Sequence, residues 1–439
     1  MSCERALDDV VTEFLLNTYL PLPKSRSKYA LQAGLHCCAA SAASTRDDVP
    51  VNNELIPLIT GSVAEFYMEP MLPHIGDIDM MYHINTELAI PRGHPPPTQL
   101  PAEFYNYVQV YEIVDSHLPG YAYLELRYLL TRCTDDDNYN AVEYDRQRYL
   151  GLNNQHLQSR LSFSLQIHGP AYVVEPSNYS ELSVDEKLVY SILSVDEVFC
   201  VRCLLWPPQA ADWTARNRNY GWPASATVDR VVSNGCDVVH VAHRQCRQDE
   251  WMGMYQWRLS FSRAEVVLIN SWMPVQQIVY HMLRHFVKTE GLTDSADNSI
   301  AVTLSNYHIK TLMLWVCEVK PRSWWTDDVN LVRMCVNLLH ILAEWLTYAR
   351  CPHYFINNCN VINNSFNLTN IGDQLMSIDE MWLSTWFVDN YIRKCLQLND
   401  CPQNITQLFD DVRVSACVEL HDTVAALVAR KQNNLLFDL

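Results

Sequence analysis

Two aspartates separated by one residue, Asp77 and Asp79, lie in the run GSVAEFYMEPMLPHIGDIDMMY from Gly61 to Tyr82. In a strand, residues two apart face the same side, so these carboxylates project together with their Cα atoms roughly 6–7 Å apart, while Ile78 and Met80 face the other way. Two like charges on one strand face repel and lose hydration unless a cation sits between them. Mg²⁺ suits this pattern, because it takes a few carboxylates and keeps waters and phosphate oxygens as its other ligands. A third acid from a neighbouring strand, Asp196 in SVDEVFCV, would complete a site for two ions, with Glu197 facing away. The upstream turn Thr60-Gly61-Ser62 would offer Ser62 and backbone N–H groups to a triphosphate. The competing reading places Asp77 and Asp79 on a loop or a solvated strand face, since short motifs also arise by chance.

The elements that must position these acids are legible in the hydrophobic period. Residues 5–20 put Leu7, Val10, Val11, Phe14, Leu15 and Tyr19 on one helical face, which predicts an N-terminal helix leaning on a core. The small-residue stretch CCAASAAS follows. Over about 55–205 the period changes: VQVYEIV, YAYLELRYLL and SVDEVFCVRCLL read as strands, and RGHPPPTQLP between the early ones must be loop. From about residue 256 the pattern turns helical, as in Leu338, Leu339, Ile341, Leu342, Trp345 and Leu346. The expectation is an α+β chain with a mixed-sheet lobe, a C-terminal helical lobe and a cleft between them as the ligand site. The segments are 1–50 (helical), 51–255 (sheet core) and 256–439 (helical).

A chain of 439 residues, 49% hydrophobic, has ample material for a large core. Its formal net charge of −18 argues against a general affinity for nucleic acid, so any such contact must use a local basic surface. Cations near the start, such as Lys24, Arg26 and Lys28, are scattered. The 15 cysteines, an odd number with no export signal ahead of them, read as reduced thiols. With no apolar run long enough to span a bilayer, the expectation is a cytoplasmic protein (nuclear also possible) without a membrane partner.

Four stretches in register, TGSVAEF…DIDMMY, SVDEVFCVRCLLWP, WRLSFSRAE and SNYHIKTLMLWVCEVKP, resemble the nucleotidyltransferase superfamily that contains cyclic GMP-AMP synthase. The resemblance is closest to the Mab-twenty-one proteins and the cyclic GMP-AMP synthase-like receptors, and runs from about residue 55 to about 385. It implies a bilobal nucleotidyltransferase fold whose N-terminal helix matches the family's spine helix. By that resemblance Asp77, Asp79 and Asp196 are the catalytic and metal-binding acids for two Mg²⁺ or Mn²⁺ ions. Thr60, Gly61 and Ser62 form the phosphate-binding turn. Arg258, Ser260 and Glu265 contact nucleotide, and Tyr307 stacks on a base. ATP, GTP or other ribonucleoside triphosphates are then the substrates, a cyclic dinucleotide is the product, and double-stranded RNA or DNA is the activator in innate immunity.

The departures point to a second reading. The residue after Glu65 is Phe66, where relatives often carry Gly. The stretch LTDSADNSIAVTL holds no His or Cys, so no structural zinc is expected. A phosphate-binding Lys expected on QQIVYHMLRHFVK is replaced, with Tyr280 the nearest candidate. The alternative is therefore a Mab-twenty-one-type nucleotide-binding protein, weak or inactive in catalysis, that works through protein partners. Cys200 and Cys203 face opposite sides of a strand, and Cys351, His353 and Cys359 lack a fourth ligand; both sets read as buried thiols. Asp135, Asp136 and Asp137 read as a solvated loop.

Overall fold

The computed structural model describes residues 7–19, 55–65, 78–151, 166–168, 171–174, 195–246, 249–292, 304–327, 329–362 and 368–393. Asp77, Lys24, Arg26, Lys28, Phe66, the CCAASAAS stretch and most of LTDSADNSIAVTL lie outside them.

Among the described residues ten strands build one sheet: β1 (Leu55–Thr60), β2 (Ile78–Pro91), β3 (Tyr107–Asp115), β4 (Tyr121–Arg132), β5 (Tyr139–Glu143), β6 (Gln166–His168), β7 (Ala171–Val174), β8 (Val195–Cys203), β9 (Cys236–His240) and β10 (Gln256–Ser260). The three stretches read as strands fall in β3, β4 and β8, and RGHPPPTQLP is loop. Along β4, Ala122, Leu124 and Leu126 are buried while Tyr121, Tyr123 and Glu125 are partly exposed, the alternation of a strand with one core face.

β2 is the organising strand. Its first half pairs antiparallel with β1 and its last residues pair parallel with β3. Its other edge pairs parallel with β8, which in turn pairs with β9. β9, β10, β4 and β3 complete the ladder, so the pairing closes on itself through β2 and β8. Closure leaves these central strands no free edge over the shared stretch, which holds their register firmly.

The sheet extends further along the chain than the hydrophobic period suggests. Gln256–Ser260, at the start of the segment read as helical, is β10, paired to both β4 and β9. Five residues are too few to separate helix from strand by periodicity, and their pairing partners decide the outcome.

Helices follow the sheet: α1 (Leu7–Tyr19) and α2 (Gly61–Glu65) come early, then α3 (Ser262–Ile269), α4 (Pro274–Thr289), α5 (Asn306–Val319), α6 (Leu331–Thr347), α7 (Leu368–Met376) and α8 (Glu380–Phe387). Of the stripe expected from sequence, α6 buries Leu338, Leu339, Leu342 and Leu346 and leaves Ile341 and Trp345 partly buried, and Asn330 caps the helix by accepting from the Arg333 N–H. Val10, Val11, Phe14 and Leu15 of α1 are buried against this helical region. Thr12 Oγ1 accepts the N–H of Leu331 at 3.0 Å, and Asn330 donates to Asp8 at 2.6 Å. One apolar core runs from Leu124, Val201 and Val238 in the sheet to Leu283, Leu312 and Leu338 in the helices, so the two halves share a floor beneath the cleft.

Candidate active site

The cleft between sheet and helices has a volume of about 890 Å³. Asp79 and Asp196 stand on its sheet wall. They are register partners on the parallel strands β2 and β8. Parallel neighbours lie about 4.8 Å apart and carry partnered side chains on the same face, so two carboxylates point side by side into the cleft. Met81, Val198, Val239 and Val241 continue that wall, each two residues along from a cleft-facing neighbour. Glu197 belongs to the opposite face and is buried.

The glycine turn packs directly against this pair. Gly61 follows β1 and opens α2 with φ +58°, a conformation that favours glycine. A Cβ there would stand 1.7 Å from Asp79 Oδ2, so the backbone approaches the carboxylate as closely as it does only because the side chain is missing. Thr60 Oγ1 donates to the backbone oxygen of Asp79 at 3.3 Å, fastening turn and strand together. Ser62 is the second residue of α2.

On the opposite side the chain supplies cations and aromatic rings. Arg258 and Ser260 come from β10, Glu265 from α3, Tyr280 and Arg284 from α4, Tyr307 and Lys310 from α5, and His353 from the loop after α6. Of the residues expected to form the site, Thr60, Gly61, Asp79, Asp196, Arg258, Ser260, Glu265 and Tyr307 thus line one cavity, although Asp79 and Tyr307 are 228 positions apart in the chain (307 − 79).

Lys310 ties three elements. It donates to Glu65 of α2 and, at 3.0 Å, to Glu265 of α3, with both carboxylates almost fully buried. Burial by itself would lower the Lys310 pKa, but Glu265 and then Glu65 outweigh it and hold the ammonium well above its usual range. Glu265, expected to touch nucleotide, therefore directs a carboxylate oxygen at Lys310. Tyr280, at the position where a phosphate-binding lysine is expected, also lines the cleft. It is fully buried, donates to Glu65 Oε2 at 3.4 Å, and is kept protonated first by burial and then by the Glu65 charge. The cationic side chains on this wall are Arg258, Arg284 and Lys310. Arg284 lies one turn beyond Tyr280 on the same helix face, and Lys310 closes SNYHIK, so both were within reach of a helical-wheel reading.

The ring of His353, near Cys351 and Cys359 in the sequence, is held by hydrogen bonds on both nitrogens. Its Nδ1 accepts the N–H groups of Phe355 and Ile356, each at 3.1 Å, and its Nε2 lies 3.1 Å from Tyr307 Oη. Cys359 donates to the Pro119 carbonyl at 3.6 Å. Among the described residues no group of three or more His, Cys, Asp or Glu side chains is arranged to hold a metal ion, and Asp77 lies outside that description.

Comparison with known proteins decides the family. The model of the Mab-21 protein nucleotidyltransferase domain matches residues 101–271, and that of the Mab-21 protein HhH/H2TH-like domain matches residues 275–379. The chain belongs to the Mab-21 family. A protein named "Protein mab-21-like" from Drosophila melanogaster is 28% identical over 156 residues, 35% of this chain and 40% of that protein. A protein of the same name from Anopheles gambiae is 28% identical over 159 residues, 35% of this chain and 39% of that one. The match thus spans about two fifths of these curated relatives. The two Mab-21 domains meet between Ile269, where α3 ends, and Pro274, where α4 begins, with β10 on the nucleotidyltransferase side. No helix among the described residues is long and apolar enough to cross a membrane.

Proposed function

We propose that this Mab-21 chain is a metal-dependent nucleotidyltransferase that joins two ribonucleoside triphosphates into a cyclic dinucleotide. The observation that carries the reading is the parallel register of Asp79 with Asp196 on a cleft wall. A pair of hard oxygen donors set side by side fits Mg²⁺ or Mn²⁺, and Asp77, two residues before Asp79, is the third donor in this reading. When bound, the ions would neutralise charge at the α-phosphate and lower the pKa of the attacking ribose hydroxyl.

The chain's own groups do the positioning. The Gly61 turn sits against Asp79 and presents backbone to a triphosphate laid along the acids. Arg258 and Arg284 face the cleft as planar cations suited to phosphate and carbonyl oxygens. Tyr307 offers an aromatic face for a base, a contact worth about 1–3 kcal/mol in comparable systems. An activating double-stranded RNA or DNA and an innate-immune role belong to the same reading, with the polymer held on a local basic surface, since the net charge of −18 opposes general binding.

One observation favours a second reading, a nucleotide-binding protein that makes little product and acts through protein partners. Lys310 is matched by two buried carboxylates, so its charge is already answered inside the protein. One experiment separates the two. The chain is incubated with the four ribonucleoside triphosphates and Mg²⁺ or Mn²⁺, with and without long double-stranded RNA or DNA, and products are resolved by chromatography. A cyclic dinucleotide that disappears in Asp79→Asn supports the enzyme. Nucleotide-dependent stabilisation without product under any condition favours the binding protein.

A further inference from the structure

The loop after α6 brings His353 to the hydroxyl of Tyr307, and the hydrogen bonds on the far side of the imidazole decide what that contact means. Nδ1 accepts two backbone N–H groups, those of Phe355 and Ile356, both at 3.1 Å. A ring nitrogen that accepts two donors carries no proton of its own, so the single proton of the neutral ring sits on Nε2. Nε2 is 3.1 Å from Tyr307 Oη, so the ring N–H donates and the phenol oxygen accepts. With that side of the oxygen facing a donor, the O–H of Tyr307 turns away from His353. Among the described residues, His353 Nε2 is the hydrogen-bond partner of Tyr307 Oη.

We propose that His353 is a positioning residue that fixes the Tyr307 hydroxyl as a hydrogen-bond donor, aimed at an acceptor atom of the nucleotide in the cleft. The inference rests on the nucleotide-binding reading above and adds a recognition rule to it: the Tyr307 hydroxyl meets the nucleotide as a donor. Arg258, on the same cleft wall, is a second donor with no acceptor to give, whereas Glu265 and Asn306 bring acceptor oxygens to the lining. The arrangement is stable to pH. Burial, reinforced by the Arg258 charge, lowers His353 to about 3, so the imidazole stays neutral across the physiological range. Burial first, and Glu265 second, raise Tyr307 well above its usual range and keep its proton in place.

The acceptor is a base or ribose atom, or a phosphate oxygen; the shared chemistry is a lone pair presented to Tyr307. Calorimetric titration of the full chain with GTP and with ATP, in Mg²⁺, reads the effect. Tyr307→Phe keeps the ring and loses the donor, and is expected to weaken binding by about fivefold, the worth of one net hydrogen bond. His353→Asn keeps an oxygen where Nδ1 accepts the loop N–H groups but removes the donor to Tyr307. It should weaken binding to a similar extent, and add nothing in the Tyr307→Phe background. His353→Gln can restore an N–H near Nε2 and should bind within about twofold of the original chain.

Guanosine and adenosine locate the acceptor. A loss that persists with the nucleosides assigns it to base or ribose, and a loss seen only with the triphosphates assigns it to phosphate. Nitrogen-15 spectra of histidine-labelled protein, with the His353 signal identified by its absence in His353→Asn, should show the Nε2-protonated form. Unchanged affinity in Tyr307→Phe overturns the proposal, as does an Nδ1-protonated ring. Unchanged affinity in His353→Asn reduces the ring to a loop support. Failure of the unaltered chain to bind any nucleotide removes the nucleotide-binding reading itself, and this inference with it.

Discussion

Gly61 lies against the carboxylate of Asp79 so closely that a methyl group on its Cα would stand 1.7 Å from Oδ2. The contact couples the turn after β1 to the acid on β2, and the positive φ of Gly61 makes alanine unwelcome there for a second reason. Gly61→Ala should displace Asp79 and lower nucleotide-dependent product formation by about a hundredfold, the scale of an ångström-size misplacement. Chromatographic product assays and a thermal melt check this. A variant that melts lower yet keeps full activity would show that the turn serves only the fold.

Asp79 and Asp196 repel each other wherever no cation sits between them. Replacing either by Asn removes one of the two like charges and a hard oxygen donor, so Asp79→Asn and Asp196→Asn should stay folded while losing product formation. Adding Mg²⁺ should raise the melting temperature of the original chain and leave that of either variant unmoved. Equal Mg²⁺ stabilisation in all three would place the ion elsewhere.

Lys310 holds α5 to α2 and α3 through Glu65 and Glu265. Lys310→Met strands two buried carboxylates and should cost about 3–5 kcal/mol of stability, the scale for removing one partner of a buried ion pair. Combining it with Glu65→Gln and Glu265→Gln removes the stranded charges, and the triple variant should recover part of the loss in urea denaturation. No recovery would mean that packing of the lysine stem, rather than charge, carries the effect.

Glu87 on β2 gives a pH signature independent of the cleft. Burial raises its carboxyl from 4.5 to about 7. The folded chain therefore binds a proton there that the unfolded chain releases between these values, and stability falls as pH rises through that window. Glu87→Gln has no proton to lose. Its melting temperature should match the original chain near pH 4.5 and exceed it increasingly up to about pH 8. A constant difference across this range would show that Glu87 is ionised in the fold throughout.

Much of the architecture was readable from the one-dimensional pattern. Alternating stretches such as YAYLELRYLL and the helical stripe around Leu338 record which face meets the core, and that period is local. The motifs TGS, DID, SVDE, WRLSFS and SNYHIK are likewise local, and the family resemblance they carry is what assigns Arg258 and Tyr307 to the site beside Thr60, Gly61, Asp79 and Asp196.

The tertiary structure alone decided the rest. β10 is a strand because β4 and β9 flank it, not because five residues insist on it. Asp79 faces Asp196 because two parallel strands, 117 positions apart in the chain (196 − 79), share one register. The pairing of Lys310 with Glu65, and the proton that His353 keeps on Nε2, depend on partners 245 and 46 positions away. Local composition states which groups a residue brings. Which of them meet, and in what protonation state, is set by the long-range packing that excludes water around them.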